Sequence, residues 1–63
     1  MHVRNEELRT TRELVREVNS VLDSLSSGEL AKVVVTDRSG KMRAVMVTPE
    51  EYDNLRSKQI DVD

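Results

Sequence analysis

The 63-residue chain has no cysteine, no phenylalanine and no tryptophan, and only one tyrosine, one histidine, one proline and two glycines. Without cysteine there are no disulfides and no thiolate metal sites. His2 stands alone beside the first methionine, and a single imidazole cannot hold a metal, so it reads as a solvated terminal residue. With aromatics almost absent, the core must be built from Val, Leu, Met and Ala. No apolar run approaches the roughly 20 residues that span a bilayer. No signal peptide is visible either, so a cytoplasmic protein with no membrane partner is expected.

A domain this short buries only about 60% of the surface its unfolded chain exposes. The usual remedies are disulfides, a metal or a second chain. With no cysteine and a single histidine, a homodimer is the expected source of missing core. The net charge of −2 does not by itself suggest nucleic acid. Its distribution is uneven: residues 1–48 carry a net +1, whereas residues 49–63 carry −3. A near-neutral body with an acidic end is compatible with two different partners.

"MHVRNEE" has little periodicity and reads as an arm, and "LRTT" can supply a short edge strand. Thr10 and Glu13 then stand three apart, the spacing of a capping box. Leu14, Val15, Val18, Val21, Leu22 and Leu25 follow at helical period and form one apolar stripe. Gly28 is a natural C-terminal stop, able to take the left-handed conformation. Asn19–Ser20 interrupts the stripe, because both side chains compete for backbone hydrogen bonds, so either one helix or two with a bend is expected. "AKVVVT" is β-branched and unbroken, the mark of a strand covered on both faces. "DRSG" favours a turn, and "KMRAVMV" returns as the second strand of an antiparallel hairpin. Thr48 can cap the next helix, Pro49 suits its first position, and Glu50 and Glu51 favour its positive end. The expected fold class is α+β, in the order (strand)-helix-strand-strand-helix. An isolated hairpin is marginal, so the sheet is expected to be shared across the homodimer.

No catalytic arrangement emerges, and neither an enzyme nor a cofactor is expected. Glu50 and Glu51 are adjacent on a helix and point apart, so they read as first-turn carboxylates rather than an acid/base pair. "DRSGK" lacks the glycine spacing and following helix of a phosphate loop. The remaining signal is basic. Arg9, Arg12 and Arg16 advance by three and four near a helix start, where backbone N–H groups and the dipole add to side-chain charge toward phosphate. Arg38, Lys41 and Arg43 form a second basic cluster at the hairpin turn. Against this, Glu6, Glu7, Glu13 and Glu17 nearly balance the first cluster, as on an ordinary solvated face.

"TTRELVREVNSVLDSLSSGE…VVVTDRSGKMRAVMVTPEEYDNL" resembles the Phd/YefM family of bacterial antitoxins over roughly residues 8–56. The family pattern "L…VLD.V..GE" meets Val18, Val21, Leu22, Asp23, Leu25, Gly28 and Glu29. Its continuation "V.VT..GK..AVLVS.EEY..L" meets Val33, Val35, Thr36, Gly40, Lys41, Ala44, Val45, Val47, Thr48, Glu50, Glu51, Tyr52 and Leu55. The resemblance implies a homodimer with a small antitoxin-like fold that binds operator DNA to repress its own operon and binds a cognate toxin. On that reading residues 1–56 are the dimerisation and DNA-binding domain, and 57–63 a short acidic, frayed tail. Arg9, Arg12, Arg16, Arg38 and Lys41 would contact DNA. Val18, Leu22, Val33, Val35 and Val45 would form the core or dimer seam, and Tyr52, Leu55 and Ile60 would meet the toxin.

Two positions depart from the family. Asp37 stands where members often carry Arg or Lys, and a carboxylate there opposes phosphate; Asp37→Arg is expected to tighten binding. Only eight residues follow Leu55, where the family has a longer tail, so the chain is expected either to be truncated or to regulate DNA without a full neutralising arm. The alternative to the antitoxin reading is a dimeric protein-interaction module with little DNA binding. A ribbon-helix-helix repressor needs two helices after one strand, which the hairpin argues against.

Overall fold

The computed structural model of the chain describes the backbone of residues 2–60 and the side chains of residues 2–57. A 3-10 turn, Asn5–Glu7, leads into β1 (Leu8–Thr10), α1 (Thr11–Ser27), β2 (Val33–Thr36), β3 (Met42–Met46) and α2 (Pro49–Ile60). The result is an α+β chain with a three-stranded mixed sheet of order β1-β2-β3 and two helices. β1 runs parallel to β2, with Leu8 opposite Val34 and Thr10 opposite Thr36. α1 is the crossover that a parallel pair requires. β2 and β3 form the antiparallel hairpin, Val34 facing Val45 and Val35 facing Ala44, with an irregularity between Val35 and Thr36.

α1 starts and stops on its own residues. The Glu13 N–H donates to Thr10 Oγ1 at 3.2 Å, and the Thr10 N–H donates to Glu13 Oε1 at 2.9 Å. That reciprocal pair satisfies two donors the first turn would otherwise leave free. At the other end Gly28 has φ +85°, a conformation glycine adopts without a Cβ penalty. Between them the helix is continuous but bent. The bend falls at Glu17, whose φ of −115° and ψ of 17° are not helical, two residues before the expected Asn19–Ser20.

Val21 and Leu25 of α1 pack with Leu30, Val33 and Val35, and Leu14 and Met46 flank them. Val33, Val34 and Val35 are all buried, so β2 is covered on both faces. Val18, Leu22 and Val45, expected as core or seam, are 39%, 45% and 39% exposed and lie outside the core of the single chain. Val45 lies in the Val34 row, on the face away from α1; for the two helix residues the reason is geometric. A helix about 10 Å wide covers two strands spaced about 4.8 Å apart, not three. α1 packs on β1 and β2, which leaves Ala44 of β3 exposed on the same side. Leu22 and Val18, with Val15 beside them, project past the covered strands.

α2 opens on Thr48, whose Oγ1 accepts from the Glu51 N–H at 3.1 Å. It continues to Ile60, beyond the boundary expected at residue 56. Residues 61–63 of the expected tail lie outside the described residues. No helix among the described residues is long and apolar enough to cross a membrane.

Candidate nucleic-acid interface

The strand register brings one arginine from each basic cluster to the same cleft. Thr10, the last residue of β1 and the cap of α1, pairs with Thr36, the last residue of β2. The N-terminus of α1 and the hairpin turn therefore share one end of the sheet. There Thr10, Thr11, Arg12 and Arg38 line a cleft of about 390 Å³. A shallower surface formed by Thr11, Arg12, Val15 and Arg16 adjoins it. Arg12, Arg16 and Arg38 are exposed, and no ion pair engages them among the described residues. Lys41 is exposed at the base of the turn.

Nearby carboxylates are turned to structural work. Asp37 Oδ1 accepts from the Ser39 hydroxyl at 2.6 Å, the Ser39 N–H at 2.9 Å and the Lys41 N–H at 3.0 Å. The Gly40 N–H donates to the Asp37 carbonyl at 3.0 Å, and Gly40 supplies the φ of +84° the turn needs. The Ser39 hydroxyl, then the Lys41 N–H, hold the Asp37 carboxyl below its ordinary value of 3.8. Asp37→Arg, expected to tighten binding, would also strip the turn of three hydrogen bonds, so the gained charge is set against a less ordered turn. Glu13 is likewise held below 4.5, chiefly by the Thr10 N–H it accepts from.

Arg9 does not join the cleft. Its Nη1 donates to the carbonyls of Glu6 and Leu8 at 2.9 and 2.7 Å, and its Nε lies 3.4 Å from Glu17 Oε1. Glu7, expected on a solvated charged face, is instead buried, and its partner Lys32 is not singled out by the sequence. Glu7 is 1% exposed and accepts from the Arg4 N–H at 2.9 Å, with Lys32 Nζ 3.2 Å away. No periodicity marks either residue, since their meeting depends on the parallel β1–β2 pairing.

The residues expected to meet a toxin lie elsewhere. Tyr52 and Leu55 are half exposed on α2, with the Arg56 guanidinium 5.9 Å from the Tyr52 ring centre. Leu55 lines a groove of about 270 Å³ with Ala31, Lys32, Val45, Val47 and Glu51. This groove is at the start of β2 and the end of β3, the opposite end of the sheet from the hairpin turn. The side chain of Ile60 lies outside the described residues. No protein-family model, curated protein or solved structure matches the chain, so the likeness to Phd/YefM antitoxins rests on the residues quoted above.

Proposed function

We propose that the chain is a homodimeric antitoxin-type repressor, which binds operator DNA through one end of the sheet and a cognate toxin through another surface. The observation that carries this reading is the cleft shared by Arg12 and Arg38. Residues 26 positions apart converge at a helix N-terminus, where side-chain charge and the helix dipole favour the same phosphate oxygens. The two carboxylates closest in sequence, Glu13 and Asp37, are occupied with caps and turns. A dimer presents this end twice, so its preferred DNA is a near-palindrome.

The test is a mobility-shift titration on the DNA directly upstream of the reading frame, repeated over a range of salt. Arg12→Ala and Arg38→Ala are expected to weaken binding to all sequences and to lower the salt slope by about one each, as loss of a phosphate contact does. Unchanged binding in both variants would remove the DNA reading.

A second reading, a dimeric protein-interaction module, draws on the acidic character after Thr48 and the apolar groove at Leu55. It takes the lead if the upstream DNA is not bound while Leu55→Glu abolishes co-purification with the product of the neighbouring gene.

A further inference from the structure

Arg9 meets two carbonyl acceptors and one carboxylate, on three different parts of the chain. It lies in β1 opposite Val35, on the side of the sheet that α1 covers. Its Nη1 takes the carbonyls of Glu6, in the 3-10 turn, and Leu8, in β1. Its Nε sits against the carboxylate of Glu17 in α1 at 3.4 Å, without the alignment of a hydrogen bond. Only 24% of its side-chain surface is exposed. Glu17 is also the residue at which α1 bends.

The bend divides α1 into two parts with different anchorage. Downstream, Val21 and Leu25 are locked in the core. Upstream, residues 11–16 carry Arg12 and Arg16, and Leu14 is the side chain there that packs against the core. Val15 is 78% exposed. The direction of this upstream segment is therefore weakly determined by packing, and the contact from Arg9 to Glu17 sits at its hinge. We infer that Arg9 is a positioning residue for the DNA surface and not a phosphate contact. By holding Glu17 against β1 it sets the angle of the first turns of α1, and so the placement of Arg12 beside Arg38. A guanidinium suits this task because its fork reaches several acceptors at once, whereas an ammonium is a compact point charge. The inference rests on the DNA-binding reading proposed above.

Two conservative variants separate positioning from charge. Arg9→Lys keeps the positive charge but cannot reach both carbonyls and the Glu17 carboxylate at once. Glu17→Gln keeps the shape but removes a negative charge, so electrostatic attraction alone would make DNA binding tighter. Binding is read by fluorescence anisotropy on a labelled duplex spanning the upstream DNA and on a mixed-sequence duplex of equal length, with folding checked by thermal melts. Both variants are expected to weaken binding about three- to fivefold, the ceiling for a partly exposed ion pair, with the salt slope unchanged. Arg12→Ala, run alongside, is expected to lower that slope by about one. Should Arg9→Lys fail to fold, Glu17→Gln decides. Arg9→Ala is added to test charge: tighter or equal binding by Glu17→Gln, or a salt slope lowered by about one in Arg9→Ala, overturns the positioning role while Arg12→Ala still reports on the DNA surface. If Arg12→Ala is also silent, the DNA reading itself has failed and the positioning role falls with it.

Discussion

Glu7 is the buried charged side chain of the described fold. The Arg4 N–H, and after it the Lys32 ammonium, hold its carboxyl below the ordinary 4.5 against the opposing effect of burial. A carboxylate whose folded value is depressed adds stability that is fully present above its unfolded value and is lost as pH falls through the folded one. Glu13 and Asp37 are shifted in the same direction. The thermal midpoint is therefore expected to be level from pH 7 to about 5 and to drop below about 4.5. Glu7→Gln should lower the midpoint at pH 7 and make the acid drop shallower, both read by circular-dichroism melts. An acid drop of unaltered depth would mean that Glu7 does not carry it. At this scale the sequence was readable only where partners are neighbours. The Thr10–Glu13 box needs three residues of chain, whereas Glu7–Lys32 and Arg9–Glu17 need a strand pairing or a helix direction that no local pattern encodes.

β2 is the element on which everything else depends. It pairs on both edges and carries buried valines on both faces. Val34, at 1% exposure, faces away from the α1 core and lies between Leu8 and Val45 in the cross-strand row. A carboxylate placed there has no cationic partner in that row. Burying it costs several kcal/mol or forces it to protonate, against a total stability on the order of 5 kcal/mol for so small a domain. Val34→Asp is accordingly expected to abolish folding, and a soluble variant with an unchanged melting midpoint would show the strand to be less enclosed than the fold implies. The unbroken run of β-branched residues made this strand legible. The failure of Val18 and Leu22 to reach the core was not, because the stripe records which residues are apolar and not how many strands lie beneath it.

Taken whole, the molecule is flatter and more exposed than its mass warrants. It measures 39 × 26 × 16 Å, with a radius of gyration of 12.7 Å where about 10.6 Å is typical for this length. Its accessible surface is 5141 Å², about 1,000 Å² above that of an average monomer of 7.2 kDa. A stable dimer buries about 800 Å² per partner, and covering exposed apolar side chains would remove part of this excess. Val15, Val18 and Leu22 along α1 are the apolar side chains best placed to be covered, beside the open side of β3. Sedimentation at micromolar concentration is expected to give a dimer, and Leu22→Glu to shift it toward an unstable monomer. A folded wild-type monomer at that concentration would exclude the dimer.

What the sequence determined alone was everything written within a few residues: the capping box and glycine stop of α1, the Asp37–Gly40 turn, the Thr48 start of α2 and the continuous apolar strand. Each is specified by local hydrogen-bond geometry or backbone preference, which neighbouring residues suffice to define. Only the tertiary structure decided that β1 joins parallel to β2. That single pairing carries Arg12 to Arg38, turns Arg9 inward to Glu17 and buries Glu7 against Lys32. It is a long-range choice, made as α1 closes back over the sheet and packs Val21 and Leu25 against Leu30, Val33 and Val35, and no local motif specifies it.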